Sequence, residues 1–176
     1  MKKLVMILGF TFCPSLWLMA QRDTLNIIAD SLQYLTEQPF SCSSIYWEVV
    51  SAGKSMIPVL IDRLDDTTHT SISLTCKRTS VKMGDIYFEA LSEIFYIPLM
   101  YVTKMQFDYT DELGCQAVVF DYLEENRANF KQEVLEFYMK YRSHLKFVKY
   151  EKNYKNECKT KNHIVGYYEV DSRLLR

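Results

Sequence analysis

Residue types that commonly carry catalysis are present in this chain, but no arrangement of them predicts an active site. No Gly-x-Ser-x-Gly sequence occurs, and the five glycines form no phosphate-binding loop. The histidines, His69, His144 and His163, are isolated and lack the paired spacing of a zinc-protease helix. Cys158 precedes His163 closely, but a structural cysteine near an exposed histidine is a commoner arrangement than a nucleophile pair. We therefore predict no catalytic residue, no cofactor and no metal site.

Two clusters of acidic residues have oxygen ligands at a spacing that could hold a hard cation. They are Asp62, Asp65, Asp66 with His69, and Asp108, Asp111, Glu112. The EF-hand pattern with its central glycine is missing from both, so solvated loops are the simpler interpretation. Paired carboxylates can also act as general acid and base across a cleft. A hydrolase that uses the second cluster is therefore the alternative function from the enzyme class.

Charge is unevenly distributed along the chain, although its formal total is only −1. Residues 85–125 contain nine acids and one base, whereas residues 140–161 contain eight bases and two acids. Such an asymmetry can steer a charged partner. Alternatively, the basic segment folds against the acidic one, although exposed pairs of this kind contribute little stability. The near-neutral total argues against nucleic acid as a partner.

The basic segment carries the residues that we predict to contact a partner. They are Lys146, Lys149, Lys152 and Lys155. Aromatic residues lie between these lysines, and packing in a hairpin or core explains them more simply than a stacking surface does. We predict an exported, non-catalytic binding module whose partner is another protein of the cell envelope. A membrane-anchored structural component of the envelope is the second alternative.

The first twenty residues have the features of a cleavable signal peptide. Lys2 and Lys3 precede an apolar run, and Ala20 supplies a small residue before Gln21. Cleavage there predicts a chain located in the periplasm or outside the cell. If residues 1–20 are retained, their apolar run is about as long as a short membrane span, and only then is a membrane a partner.

Four cysteines follow the predicted cleavage site. They are Cys42, Cys76, Cys115 and Cys158. An even number in an exported protein permits two disulfides in any of three connectivities. Buried free thiols are the alternative, because the remaining 156 of 176 residues can build a core without bridges. No Cys-x-x-Cys pair occurs, so the cysteines indicate neither zinc nor redox chemistry.

Apolar spacing predicts that a mainly helical domain positions these residues. The predicted helices cover residues 25–37, 45–50, 54–64, 84–96, 114–125 and 127–145. Asp23 or Thr24 is the expected cap of the first helix, and Ser43 or Ser44 that of the second. The polar residues 65–81 predict a loop, in which residues 71–76 alternate weakly as a strand would.

The chain from Lys146 onward is rich in residues that favour strands, and it predicts a hairpin of residues 147–150 with residues 164–170. We therefore divide the chain into a signal peptide (1–20), a helical part (21–145) and a basic, β-rich C-terminal appendage of the same domain (146–176). The apolar segment 98–105 fits neither a helix nor a strand pattern clearly.

Part of the helical region resembles a known repeat family. The run from Pro58 to Asp66 (PVLIDRLDD), preceded by Gly53, resembles the second helix of a HEAT-type repeat. The segment from Val81 to Ile94 is similar to the start of the next repeat, and the resemblance covers about fifty residues. It implies a mainly α fold of stacked antiparallel helical hairpins and a binding role. The long loop between the two pieces departs from the tight stacking of that family.

Overall fold

The computed structural model describes residues 14–36, 40–74, 77, 79–107, 117–151 and 156–175. In these ranges the chain is mainly helical, as predicted, with one small antiparallel sheet of two strands. The α-helices are α1 (Pro14–Asp30), α2 (Ser44–Ser51), α3 (Ile57–Ile61), α4 (Met83–Ile94), α5 (Leu99–Thr103), α6 (Ala117–Tyr141) and α7 (Glu157–Lys161). The strands are β1 (Leu145–Lys149) and β2 (Gly166–Val170).

The first helix begins nearer the N-terminus than the sequence indicates. In the described residues α1 extends back to Pro14, and no glycine or proline interrupts the residues that follow it. The predicted caps Asp23 and Thr24 therefore lie inside α1, and that prediction is wrong. The proposed cleavage site, between Ala20 and Gln21, also falls within α1. After Asp30 the chain tightens into a 3-10 helix, Ser31–Tyr34.

The predicted second and third helices form, but the third is shorter than expected. Ser43 has the extended backbone of an N-cap before α2. Gly53 takes φ +61°, which ends this helix and begins a 3-10 turn, Gly53–Met56. α3 then occupies only part of the predicted range, with Pro58 in its first turn.

Residues 65–81 connect α3 to α4 as a loop in their described part. The loop is closed by backbone hydrogen bonds from Thr70 N to Val81 O (2.9 Å) and from Met83 N to Thr68 O (2.8 Å). The weak strand predicted for residues 71–76 is absent from residues 71–74, and residues 75 and 76 lie outside the described ranges.

The later helices supply many of the buried apolar side chains. α4 buries the four positions predicted to face inward, which are Ile86, Ala90, Leu91 and Ile94. α5 forms in the apolar segment that the sequence left unassigned. α6 joins the last two predicted helices, and its non-helical residue, Asn126, lies at the boundary predicted between them. Of the apolar residues spaced along the last predicted helix, Phe130, Val134, Phe137 and Tyr141 are buried in α6, whereas Leu145 begins β1 and is half-buried.

The predicted C-terminal hairpin is confirmed. β1 and β2 pair antiparallel with Leu145 opposite Val170 and Lys149 opposite Gly166. The connection contains α7. A disulfide between Cys158 of α7 and Cys42, which ends a 3-10 helix (Phe40–Cys42) just before α2, has a Cα–Cα distance of 5.1 Å. Cys76 and Cys115 lie outside the described ranges. Within these ranges, no helix is both long and apolar enough to span a bilayer.

Candidate functional site

The two-stranded sheet of β1 and β2, called here the ribbon, lies against the helical body through one of its faces. Tyr96 N, just after α4, donates a hydrogen bond to Tyr168 O (2.8 Å). On this inner face Val170 is buried, and the Tyr168 ring lies near Gly53. Because side chains alternate along a strand, Phe147 and Lys149 of β1 also belong to the inner face.

A cavity of about 190 Å³, called here the ribbon pocket, opens between the inner face and the ends of α2 and α4. It is lined by Val50, Ser51, Gly53, Glu93, Ile94, Phe147, His163, Ile164, Val165, Gly166 and Tyr168. Most of these side chains are apolar or aromatic, and one carboxylate, Glu93, lies among them. A mainly apolar cleft with few polar groups is typical of a ligand-binding site.

Gly166 leaves room for the Phe147 ring that lines the pocket. A Cβ on Gly166 would come within 2.9 Å of the Phe147 ring and within 2.1 Å of Val148 O. The rings of Phe147 and Tyr168 then meet across the strands, with 5.2 Å between their centroids. Phe147 nevertheless remains 46% exposed, so its ring is available to a bound molecule.

The carboxylate in the pocket is paired with a lysine of α7. Lys159 Nζ lies 2.5 Å from Glu93 Oε2, and both side chains are largely buried. The same ammonium lies 4.8 Å from the centroid of the Tyr150 ring. This pair joins the acidic middle of the chain to its basic C-terminal segment, as one interpretation of the charge asymmetry predicts. Together with the disulfide at Cys158, it fixes the segment that carries His163 and Ile164.

Glu89 lies one helical turn before Glu93, and its environment raises its pKa to about 7. Burial is the main cause, and the negative charges of Glu93 and Asp85 add to it. A carboxyl group with this pKa can act as a general acid or base near neutral pH. Glu89 is not among the residues that line the ribbon pocket, so it does not meet a molecule bound there.

The outer edge of β1 carries unpaired backbone groups. Tyr150 N donates a hydrogen bond to Val165 O (2.9 Å), so Tyr150 and Val165 are a hydrogen-bonded pair of the ladder. Because hydrogen-bonded and non-bonded pairs alternate along an antiparallel ladder, the N–H and C=O groups of Phe147 and Lys149 point away from β2. In the part of the chain that the structure describes, β1 pairs with β2 alone, and no hydrogen bond uses these outward groups. Such an edge can pair with a further strand.

The structure separates the lysines that were predicted to contact a partner. Lys146 and Lys149 are both exposed, but strand alternation places them on opposite faces of the ribbon. Lys146 forms an ion pair with Asp171, which Arg173 also contacts, and these charges hold the pKa of Asp171 well below its usual range. Lys152 and Lys155 lie outside the described ranges.

The first acidic cluster is held by a lysine of α6 and by local turns. Lys131 Nζ donates to Asp62 O (2.6 Å) and to Asp65 Oδ1 (3.0 Å). Asp66 accepts a hydrogen bond from Thr68 N (2.8 Å), and His69 contacts Ser80 instead of the carboxylates. Among the described residues, no group of three or more potential metal ligands occurs. The second cluster, residues 108–112, lies outside them.

Two nucleophile candidates can be examined beside the pocket. Cys158 is in the disulfide, so it is not a free thiol for His163. A Ser-x-x-Lys sequence, the spacing of some serine nucleophiles, also occurs at Ser51 and Lys54. Gly53 ends the helix between these two residues, and Ser51 Oγ donates to Glu48 O (2.9 Å). The pair therefore lacks the single helical turn that would bring it together.

The spacing of residues did not reveal a buried ionic cluster between the loop, α4 and α6, called here the Asp85 cluster. Asp85 is fully buried and accepts from Arg127 Nη2 (2.6 Å) and Lys82 N (2.8 Å), and Lys77 Nζ lies 2.7 Å away. Glu124 contacts all three basic side chains, and hydrogen bonds from Lys82 and Lys77 lower its pKa to about 2. Arg127 Nε and Nη1 are buried without a hydrogen-bond partner among the described residues, but the short ion pairs to Asp85 and the close packing at Gly84 indicate a structural role.

Comparison with known proteins assigns no family to this chain. No protein-family model, curated protein or solved structure matches it significantly. The ribbon and its pocket therefore carry the functional argument by themselves.

Proposed function

We propose that this chain is an exported, non-catalytic binding module that captures another protein of the cell envelope at its C-terminal ribbon. The observation that carries the proposal is the exposed edge of β1, where Lys146, Phe147 and Lys149 lie in sequence beside the ribbon pocket. An aromatic side chain between basic residues suits a protein interface, where aromatic anchors supply much of the binding energy.

The charge of the C-terminal segment supports an acidic partner. Among the basic residues of this segment, Lys159 forms an ion pair with Glu93. Lys146 and Arg173 both form ion pairs with Asp171. Lys149 is exposed and makes no ion pair with the described residues. The surplus positive charge at the edge can therefore steer an acidic partner and discriminate against a basic one.

The proposal is tested by capture from an envelope extract with the full-length chain as bait. We expect the wild-type chain to retain one stoichiometric protein at low salt, and less of it at moderate salt, since exposed charges are screened. The variant that reverses the four predicted lysines, Lys146→Glu, Lys149→Glu, Lys152→Glu and Lys155→Glu, should lose that protein while its thermal unfolding midpoint stays within a few degrees.

A charge reversal away from the ribbon provides the matched control. The ribbon variant carries Lys146→Glu and Lys149→Glu. The control carries Arg22→Glu, on α1, and Lys104→Glu, next to α5, and it changes the net charge by the same amount. Capture should fall only in the ribbon variant. Equal loss in both variants would show that net charge, and not the ribbon, governs retention. Unfolding of the ribbon variant would instead identify the segment as an internal clasp.

Export belongs to the same proposal and has its own test. Signal-peptide cleavage at Gln21 would shorten α1 but keep Ala29, which is buried, and Leu25 and Ile28, which pack against the core. N-terminal sequencing of the protein recovered from cells should therefore begin at Gln21. A chain that begins at Met1 in the membrane fraction would favour the anchored structural component instead.

We also propose that α2, α3 and α4 are a HEAT-like stack that supports the ribbon. The close approach of α4 to the end of α3 supports it, since a Cβ on Gly84 would lie 2.5 Å from Leu64 O and 2.8 Å from Asp66 O. An experimental structure with these helices packed as consecutive antiparallel hairpins would establish the proposal, and crossed helices would refute it.

A further inference from the structure

We propose that the partner binds as an added β-strand: an acidic, extended segment pairs with the outer edge of β1 and places an apolar side chain in the ribbon pocket. The inference rests on the proposed function and specifies how the partner is recognised. It has two supports of different kind: one is the open backbone edge of β1, and the other is the pocket that Phe147 of β1 lines together with residues from α2, α4 and residues 163–168.

The backbone of β1 is already set for a further strand. Phe147 and Lys149 direct their N–H and C=O groups outward, and no described residue satisfies them. The same alternation directs Tyr168 of β2 to the opposite edge, where Tyr96 N is bonded to its carbonyl oxygen. Among the described residues, one edge of the ribbon is thus hydrogen-bonded to the body and the other edge is not. Strand addition to an open edge gains main-chain hydrogen bonds without rearranging the ribbon.

The lysines decide which strand can be added. Charged residues on an edge strand, lysine above all, prevent pairing with strands of unselected sequence. Two copies of this chain that paired β1 with β1 would bring Lys146 and Lys149 near their counterparts, and like charges across strands are destabilising. An acidic strand whose carboxylates share the face of Lys146 would turn this repulsion into attraction, and the charge of Lys149 on the other face would add to it at longer range. We therefore commit to an acidic segment of another protein and not to a second copy.

The ribbon pocket gives the added strand an apolar anchor. Its volume of about 190 Å³ exceeds that of an engineered cavity of about 150 Å³ that accepts benzene. Phe147, which lies on the strand with the open edge, lines the pocket together with Val50 and Ile94 of the helical body. A strand paired with β1 presents every second side chain to this face. One aromatic or large aliphatic residue of the partner would therefore enter the pocket.

The test uses a synthetic peptide with the full-length protein. The probe is an acetylated, amidated heptapeptide of sequence EVEFEVE, in which valine and phenylalanine share one face. At saturating peptide we expect hydrogen exchange at the amides of Phe147 and Lys149 to slow at least tenfold. The amides of Lys146 and Val148 should change little, since their ladder bonds to β2 already exist. Unchanged exchange at Phe147 and Lys149 in a saturated complex would overturn strand addition.

Two control peptides separate backbone pairing from charge. A version of the probe that is N-methylated at alternate amides keeps its charges but loses donors, and it should bind at least tenfold more weakly. The basic counterpart KVKFKVK should not bind. Equal affinity of the methylated peptide would overturn the strand mode, and equal affinity of the basic peptide, or a ribbon-mediated dimer, would overturn the choice of an acidic partner.

Two substitutions at Lys149 test whether its outward backbone N–H donates a hydrogen bond to the added strand. Lys149→Pro removes the charge and the outward N–H, whereas Lys149→Gln removes only the charge. Proline is tolerated at an edge position whose N–H is not in the ladder, and a thermal melt checks this. We expect the proline variant to bind the probe at least tenfold more weakly than the glutamine variant. Equal affinities would contradict the inference.

The results also distinguish this inference from the proposed function. If the extract yields a partner whose capture needs the ribbon lysines, but Phe147 and Lys149 amides stay unprotected in its complex, the function stands and the strand mode fails. If the probe binds with the expected protection but the extract yields no protein, the strand mode stands and the envelope partner fails.

Discussion

At the scale of single residues, the chain places its charges in two different environments. Asp85 is completely buried with Arg127 and Lys77, whereas Asp62 is exposed beside Lys131. Breaking a buried pair leaves an uncompensated charge in the interior, while an exposed pair contributes little. Because both groups are aspartates paired with basic side chains, comparing them shows how burial changes the contribution of an ion pair to stability.

We predict that Asp85→Asn lowers the free energy of unfolding by about 3–5 kcal/mol, because Arg127 and Lys77 lose their buried counter-charge. The matched change Asp62→Asn should cost less than about 1 kcal/mol. Urea denaturation at neutral pH measures both. Similar small losses in the two variants would show that water reaches the Asp85 cluster.

Glu89 predicts a dependence of stability on pH. Its pKa is raised from 4.5 to about 7 in the folded chain, so the folded state holds this proton more tightly than the unfolded state. The free energy of unfolding should therefore fall as the pH rises from about 4.5 to about 7, and change no further above that range through this group. Glu89→Gln should remove this decline.

The measurement is chemical denaturation of the wild type and of Glu89→Gln at pH 5 and pH 8. The variant should gain stability relative to the wild type at pH 8, because it carries no buried negative charge. Glu48→Gln on the exposed side of α2 is the control and should follow the wild type. If the free energy of unfolding changed with pH in the same way in all three proteins, the raised pKa of Glu89 would not be the cause of the decline.

At the scale of elements, Gly84 determines how closely α4 approaches α3. An alanine normally stabilises a helix by about 1 kcal/mol relative to glycine. Here the added Cβ would meet the backbone oxygens of Leu64 and Asp66, which cannot move as a side-chain end can. We predict that Gly84→Ala costs about 1–3 kcal/mol in spite of its helix propensity, measured by thermal and urea unfolding.

A glycine on a positive φ provides the comparison. Gly53 has open space around its Cβ direction, with Tyr168 at 4.0 Å, but its φ of +61° disfavours alanine by about 1 kcal/mol. Unchanged stability in Gly84→Ala, with a loss in Gly53→Ala, would mean that α4 shifts freely to accept the methyl group.

The same elements show what sequence patterns can predict. Apolar spacing located α4 and the seam of α6, and strand-forming residues located the hairpin, because these signals are local. The length of α3 was missed, because a 3-10 turn, Gly53–Met56, takes the place of its first predicted residues. The helical part of α1 before residue 25 was also missed, although no glycine or proline interrupts it. The ribbon pocket was not predictable, because Ser51, Glu93 and Phe147 come from distant segments of the chain.

At the scale of the whole molecule, one disulfide and one ion pair join the C-terminal segment to the body. Cys42 and Cys158 are separated by 116 residues, so their bridge closes most of the chain into one loop. Lys159, next to Cys158, reaches Glu93 in the ribbon pocket. The disulfide between Cys42 and Cys158 therefore helps to hold residues 163–165, which line the ribbon pocket, in place.

We predict that Cys42→Ser with Cys158→Ser lowers the free energy of unfolding by about 2–5 kcal/mol, because the unfolded chain regains loop entropy. Hydrogen exchange should rise chiefly in residues 157–170, and affinity for a ribbon-bound partner should fall with it. Mass spectrometry after brief deuterium labelling measures the first effect. Unchanged exchange in residues 157–170 would mean that the ribbon holds its position without the bridge.

The central claim, that the ribbon contacts a partner protein, is tested most directly by photo-crosslinking in intact cells. A photoreactive phenylalanine analogue replaces Phe147 in one variant and Ile27, which is 71% exposed on α1, in the control. We expect illumination to attach one envelope protein at position 147 and none at position 27. No attached protein at position 147, or the same products at both positions, would contradict the claim that the ribbon is the binding surface.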